Sequence, residues 1–343
     1  MTLGVLTGGG DCPGLNAVIR AVTRHTVDQG RRVLGIRGSW QGLLEPDVVE
    51  LRRRSVSGIL TRGGTILGTT RSDPFSEERG VERLLEGMAA TGIDALVAIG
   101  GDGTLGVARR LHAEHGVKVI GVPKTIDNDI AGTDYTFGFD TAVQVCVEAI
   151  DRLHTTAESH HRIMVVEVMG RNTGWIAVHA GIAGGADVIL VPEDAVPIEE
   201  VCEQLRLRHA SGKDFSIVVV AEGYPLTRLS GERTTISQGV DSLGFIRHGG
   251  IGQVVATEIE AATGFETRVT VLGHVQRGGT PTARDRVLAT RFGLAAARFV
   301  DEGRWGSLPA LRGDDIVAVT LEEATREQKP VPATLLREAR EIA

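Results

Sequence analysis

Asp127 and Asp129 stand two residues apart in the run Pro123-Lys124-Thr125-Ile126-Asp127-Asn128-Asp129, directly after the strand-like stretch Lys118 to Val122. A short way upstream lies Gly100-Gly101-Asp102-Gly103-Thr104. Its three glycines let backbone N–H groups approach a phosphate closely, and Thr104 can open a helix whose N-terminus favours anions. Asp102 offers the hard oxygen that a divalent cation prefers. The second loop supplies a carboxylate to receive a proton from a hydroxyl. Together the two loops describe phosphoryl transfer to an alcohol.

Further glycine loops bear the same chemistry. Thr7 to Asn16 follows a first strand and opens a helix, with Gly8, Gly9 and Gly10 available to cradle a phosphate. Gly63-Gly64-Thr65-Ile66-Leu67-Gly68-Thr69-Thr70 leads into Arg71, which can bridge phosphates bidentately. Glu167-Val168-Met169-Gly170-Arg171 closes another strand, and Ala221-Glu222-Gly223 offers a carboxylate to sugar hydroxyls. Arg268, His274 and Arg277 read as donors converging on one strand end, a set fitted to a phosphate monoester. Each loop taken alone is also an ordinary turn or a solvated cation; it is their combination that points to chemistry. His160 and His161 read as surface residues.

The elements that must position these residues alternate along the chain. Val- and Ile-rich runs at Leu3–Thr7, Val33–Ile36, Ala95–Ile99, Lys118–Val122, Ile163–Val168, Val188–Val191, Ile217–Val220 and Val269–Leu272 are nearly continuous rather than alternating. Strands buried on both faces of a parallel sheet have that pattern. Helical patterns lie between them at Asn16–Gln29, Val81–Ala90, Leu105–Glu114, Thr141–Thr155, Ile198–His209, Gln253–Ala262 and Ala283–Val300. The alternation predicts an α/β fold with helices on both faces of mainly parallel sheets, and ligands at the carboxyl ends of strands. Pro225 to Gly252 is polar and weakly periodic, which predicts an insertion or long hairpin. A domain change is expected near Gly138–Asp140.

A chain of 343 residues predicts two domains. Net charge is 37 − 44 = −7, against a nucleic-acid surface or a basic membrane anchor. No apolar run reaches the roughly 18 residues that span a bilayer, and the first residues read as a strand rather than a signal peptide. Cys12, Cys146 and Cys202 form no metal spacing or disulfide framework, as expected of a cytoplasmic protein. Cys12 reads as a small loop filler, with a thiolate as the less ordinary alternative.

In these motifs the chain resembles the phosphofructokinase family. The matching segments are TGGGDCPGLN (7–16), RGGTILGTTR (62–71), GGDGT (100–104), PKTIDNDI (123–130), VVEVMGR (165–171), GGADVILVPE (184–193), AEG (221–223) and TVLGHVQRGG (270–279). The resemblance implies two Rossmann-like three-layer domains with the active site in the cleft between them. It divides the chain into 1–138 plus about 276–325 for the phosphoryl donor, and 139–275 plus about 326–343 for the sugar phosphate. It implies Mg2+-dependent transfer of the ATP γ-phosphoryl group to the 1-hydroxyl of fructose 6-phosphate, in a homotetramer or homodimer. By matching motif, Gly10, Arg71, Ser72, Asp102, Gly103, Thr104 and Lys124 serve the donor, with Asp102 placing the metal. Asp127 is the general base, and Thr125, Asp129 and Arg171 position the reacting groups. Met169, Gly170 and Glu222 line the sugar pocket. Arg162, Arg268, His274 and Arg277 hold the sugar phosphate, with Arg162 and Arg268 reaching in from a neighbouring subunit.

Two departures from the family pattern bear on function. ATP users typically carry glycine at both Gly103 and the position of Lys124, pyrophosphate users aspartate and lysine; this chain has a mixed pair. Gly103 leaves space for a nucleotide's α-phosphate, so ATP is expected, with pyrophosphate as the alternative donor. Ser72 replaces an aromatic often found beside the adenine, and Trp40 is the candidate stacking face. Arg20, Arg24, Arg53 and Lys213 match an effector site, but His154, Ser211 and Asp187 depart from it, so altered regulation is expected. An NAD kinase-like enzyme would explain the GGDGT loop alone, and a non-enzymatic nucleotide sensor would not need Asp127.

Overall fold

A computed structural model of the chain describes residues 1–227, 233–234, 237–240 and 246–342, with the backbone alone for 233–234, 237–240 and 246–248. Its elements run, in chain order, β1 (Thr2–Thr7), α1 (Leu15–Asp28), β2 (Arg32–Ile36), α2 (Gln41–Leu44), β3 (Val48–Leu51), α3 (Gly80–Thr91), β4 (Ala95–Gly100), α4 (Asp102–His115), β5 (Val119–Thr125), β6 (Phe137–Gly138) and α5 (Phe139–His160). There follow β7 (Ile163–Val168), α6 (Trp175–Ala183), β8 (Val188–Leu190), α7 (Ile198–Ala210), β9 (Ser216–Ala221), β10 (Leu226–Thr227), β11 (Arg233–Thr234), β12 (Ser237–Val240), β13 (Ile246–His248), α8 (Ile251–Thr263) and β14 (Thr267–Val271). After a 3-10 turn at Gly273–Arg277 come α9 (Ala283–Glu302), β15 (Ser307–Arg312), β16 (Asp315–Thr320), α10 (Leu321–Thr325) and α11 (Ala333–Ile342). The chain forms two compact units, Met1–Thr141 with Arg277–Gln328, and Ala142–Gln276 with Lys329–Ala343.

The first unit is built on an eight-stranded sheet of order β16-β15-β5-β4-β1-β2-β3, with β6 beside the end of β5. Its centre is parallel: β1 lies between β2 and β4, and β4 pairs with β5. Those strands are buried along nearly their whole length, as their unbroken apolar runs require. The outer pairs β2–β3 and β15–β16 are antiparallel. Leu6, Leu34, Trp40, Leu96, Leu105, Leu111 and Leu308 belong to its core. The second unit carries a parallel sheet of order β14-β7-β9-β8. Val165, Leu190, Val201, Leu205, Val218, Tyr224 and Ile259 are in its core.

Every expected strand and helix is present, with ends shifted by a few residues. No expected strand or helix corresponds to β3, β6, β15, β16, α2, α6, α10 or α11. α6 has buried residues on all sides (Trp175, Ile176, Ala177, Val178, Ala180), so it carries no amphipathic stripe. Much of the hairpin expected over Pro225 to Gly252 lies outside the described residues; the antiparallel pairs β10–β11 and β12–β13 are described within it.

Candidate functional site

In the first unit the glycine loops after β1 and β4 sit at the carboxyl ends of adjacent parallel strands, and hydrogen bonds hold the Gly63–Arg71 loop, which follows the antiparallel β3, against the first of them. β1 leads into Gly8-Gly9-Gly10, with the Gly8 N–H donating to the Ile99 carbonyl of β4 (2.9 Å). A Cβ on Gly8 would lie 2.4 Å from Thr104 Oγ1 and 2.7 Å from Ser39 Oγ, so this turn closes on α4 only as glycine, while the Arg277 guanidinium lies against Gly10. Thr69 Oγ1 donates to the Gly9 carbonyl (2.7 Å), and the Gly9 N–H to Thr70 O (3.2 Å), holding the Gly63–Arg71 loop against the first. The buried Asn16 of α1 secures the far side of that loop, donating to Arg62 O (3.1 Å) and accepting from the Ile66 N–H (2.9 Å).

The loop after β4 begins α4 at Asp102, an exposed carboxylate on the helix's first turn. Thr104 is buried behind it. Gly103 and Gly106 lie three residues apart on α4, hence on one face, and a Cβ on either would meet nothing within 4 Å. The end of β5 carries Lys124, whose ammonium is buried and donates to the Gly10 carbonyl at 2.5 Å. Burial pushes this ammonium below the usual lysine range.

Thr125, Asp127 and Asp129 follow directly. The Asp127 N–H donates to Thr125 Oγ1 (3.0 Å). Asn128 between the two acids is left-handed (φ 52°) and fully buried, with its Oδ1 accepting from the Thr136 N–H (3.0 Å). Asp129 Oδ2 accepts from Gln328 Nε2 (3.1 Å). Burial, then the Asp127 charge, push the Asp129 carboxyl up to about 7, with Asp102 adding a smaller push the same way. Asp102, Asp127 and Asp129 thus share one electrostatic neighbourhood. Among the described residues no group of three His, Cys, Asp or Glu side chains is placed to hold a metal ion by itself.

The surroundings of Trp40, Cys12 and Arg277 decide three readings in this unit. Trp40 is 1% exposed within the core, with its Nε1 unpartnered there, so it presents no stacking face. Cys12 is buried against the Phe137 carbonyl (3.7 Å), and burial pushes its thiol up to about 12, so the loop-filler reading holds and the thiolate is excluded. Arg277 belongs to the first unit, where it lies against Gly10 and donates to the Asp11 carbonyl (3.3 Å). Arg71 and Ser72 flank the same loops, with Thr70 and Ser72 sharing a hydroxyl hydrogen bond (3.2 Å).

In the second unit, β7 ends in Met169 and Gly170, and the left-handed glycine (φ 142°) turns the chain into Arg171. The Glu222 N–H donates to Val168 O (2.8 Å) and the Gly223 N–H to Gly170 O (3.0 Å). A Cβ on Gly223 would lie 1.8 Å from the Arg171 carbonyl, so the two loops interlock at backbone distance. Met169, Gly170, Arg171 and Glu222 are therefore brought together. His274 is exposed on the turn that follows β14. Arg268 instead sits near the start of β14, in register with Met164, and pairs with Glu266; Arg162 pairs with the same carboxylate at 2.8 Å. The length of the strand separates Arg268 from His274. His161 is exposed and paired with Asp214 (2.7 Å).

Of the residues matched to an effector site, Arg53 is engaged bidentately by Asp28 (2.5 Å to each oxygen) in the first unit. In the second, His154 meets the Gly184 carbonyl (2.6 Å), while Asp187 accepts from the Ile217 N–H (2.8 Å) and pairs with Arg208 (2.8 Å). Residues the sequence reading passed over include Asn16, Glu167, Gln276 and Gln328. Each acts through a hydrogen bond to a distant part of the chain, and no local spacing marks it.

Comparison with known proteins agrees with this arrangement. The sequence profile described as Phosphofructokinase matches residues 2–300. A pyrophosphate–fructose 6-phosphate 1-phosphotransferase of Streptomyces coelicolor is 55% identical over 98% of this chain and 98% of its own. From the same organism, ATP-dependent 6-phosphofructokinase 3 is 52% identical over 99% of each chain. The structure of phosphofructokinase from Saccharomyces cerevisiae superposes with a TM-score of 0.80 at 34% identity, over 95% of this chain and 45% of that longer one. The chain belongs to the phosphofructokinase family of phosphotransferases.

Proposed function

We propose that this chain is a 6-phosphofructokinase of the bacterial type. It transfers the γ-phosphoryl group of ATP to the 1-hydroxyl of D-fructose 6-phosphate, giving fructose 1,6-bisphosphate in cytoplasmic glycolysis. One observation supports this above the others: loops 8–10 and 63–71 are hydrogen-bonded to each other, Gly8 packs against Thr104 of loop 100–104, and β5 leads through Lys124, bonded to Gly10, into Thr125, Asp127 and Asp129. The first unit is then the donor domain and the second the sugar-phosphate domain. Asp127 takes the proton of the 1-hydroxyl. Thr125, Asp129 and Arg171 orient the reacting groups, and Gly10, Arg71, Ser72, Gly103 and Thr104 cradle the polyphosphate. Met169, Gly170 and Glu222 hold the sugar; Arg162, Arg268, His274 and Arg277 serve its phosphate. Catalysis by positioning and charge complementarity is what phosphoryl transfer demands.

The donor set fits Mg2+. Asp102 offers an exposed hard oxygen, and Mg2+ commonly takes one or two carboxylates and completes its shell with water and substrate phosphates. That is consistent with the absence of a three-carboxylate cage among the described residues. When bound, the ion neutralises charge on the phosphate oxygens.

ATP is favoured by the bare face of α4. A glycine in a helix costs roughly 1 kcal/mol relative to alanine, yet two lie together there beside the phosphate cradle, leaving backbone open to a flat ring. A second reading, pyrophosphate as donor, is favoured by Lys124, whose buried ammonium on the first loop would offset a short, densely charged donor. The pyrophosphate-named relative at 55% identity is in line with it. The purified chain assayed with fructose 6-phosphate, Mg2+, and ATP or pyrophosphate in parallel decides between them. Turnover with ATP and little with pyrophosphate is expected; the reverse establishes the second reading, and turnover with neither rejects both.

A further inference from the structure

Gln276 is fully buried at the end of the 3-10 turn that carries His274. Its Oε1 accepts two hydrogen bonds, from the Met169 N–H (3.1 Å) and the Cys146 thiol (3.2 Å). Its Nε2 donates to the Gly273 carbonyl (3.1 Å). This set fixes the carboxamide in one orientation, since a flipped amide would aim N–H groups at the Met169 N–H. Burial keeps the Cys146 thiol protonated and hence a donor. The side chain therefore joins three parts of the second unit: the end of β7, helix α5 and the turn after β14.

We infer that Gln276 is a positioning residue for the sugar phosphate. It sets the spacing between the backbone of Met169 and the turn bearing His274. The inference rests on the function proposed above, in which Met169 and Gly170 line the sugar pocket and His274 serves the phosphate. β14 is tied to β7 without Gln276, through the strand ladder and the Leu272 N–H to Glu167 carbonyl bond (3.0 Å), so losing the clamp leaves the sheet intact. What is lost is register between pocket wall and turn, and a binding constellation tolerates only small displacements.

Gln276→Glu is the sharpest test. When ionised, its carboxylate still accepts from Met169 and Cys146 but sets a second oxygen against the Gly273 carbonyl, forcing the turn away, so the constants are measured at about pH 9, toward the top of the range to which burial raises a glutamate. The KM for fructose 6-phosphate is expected to rise about tenfold or more, the equivalent of losing one or two buried hydrogen bonds. The KM for the donor stays within about twofold, and the Kd for fructose 6-phosphate by calorimetry without donor moves with its KM. Cys146→Ser, which keeps a donor to the same oxygen, should leave the sugar KM unchanged. Should Gln276→Glu fail to fold, Gln276→Met, apolar and of similar length, carries the test through the same constants. A folded variant that binds the sugar phosphate as wild type does, or loses both substrates and melting temperature together, overturns the positioning role. Wild-type protein that binds no fructose 6-phosphate overturns the functional reading instead, so the two failures are distinguishable.

Discussion

Asn128 decides where the two carboxylates of the β5 loop go. Asparagine tolerates the left-handed region better than most residues, and its buried side chain accepts from Thr136, so the acids on either side are set by a braced turn. With Asp127 so held, Asp127→Ser should lower kcat at least about 10²-fold while the substrates still bind, because a general base acts in the transition state and adds little to ground-state binding. Steady-state kinetics with a binding measurement checks this, and near-normal turnover would favour a non-enzymatic sensor. Asp129 has a signature of its own. Its native pKa is raised from 3.8 to about 7. Between those values the native chain keeps a proton that the unfolded chain releases, so stability falls as pH rises through that window, and the loss is complete above the native value. Asp129→Asn cannot ionise and still offers Gln328 an oxygen. In metal-free buffer it should be more stable than wild type at pH 8, by on the order of 1–3 kcal/mol, with the gain vanishing toward pH 4. Melting curves across that range measure it, and a gain independent of pH would contradict the assignment.

Glu167 shows the same logic at the level of an element. This buried carboxylate near the end of β7 accepts from the Gly250 N–H (2.9 Å) and the Gly252 N–H (2.7 Å), so a strand supplies the cap that α8 lacks locally. A carboxylate there also complements the helix dipole. Glu167→Leu should destabilise the chain by about 2–4 kcal/mol, since it leaves those buried donors unsatisfied and removes the charge; urea unfolding would reveal it as a lowered midpoint. The sequence marks Glu167 only as the polar residue in an apolar run, and its partners lie more than eighty positions away. That is why part of the fold was legible and part was not. The central strands announce themselves because burial on both faces demands unbroken Val and Ile. β15 holds a proline and α6 is apolar all round, so neither presents the pattern sought, while the apolar run of β16 is only four residues long and mostly not buried. The glycine loops and acids were legible because their chemistry is local in sequence. The burial of Trp40 and the engagement of Arg277 with the first loop depend on tertiary packing, and no residue type encodes that.

At the scale of the whole molecule the remaining question is which arginines complete a site. Arg162 and Arg268 both pair with Glu266 around the start of β14, and two guanidiniums on one carboxylate leave net positive charge there. His274 and the sugar-pocket loops lie at the opposite ends of the same parallel strands. This placement is consistent with the two arginines serving a neighbouring subunit's sugar phosphate, as the family resemblance implies. Complementation tests it without knowledge of the oligomer count. Asp127→Ser and Arg268→Ala are each expected to be nearly inactive. In a mixed pair, one site combines both defects, and the other takes Asp127 from one subunit and Arg268 from its partner, both intact. Equal amounts unfolded and refolded together should therefore regain about a quarter of wild-type activity if subunits pair at random across a two-fold axis. If Arg268 instead acts within its own chain, every site in the mixture carries one defect and activity stays at the level of the separate variants.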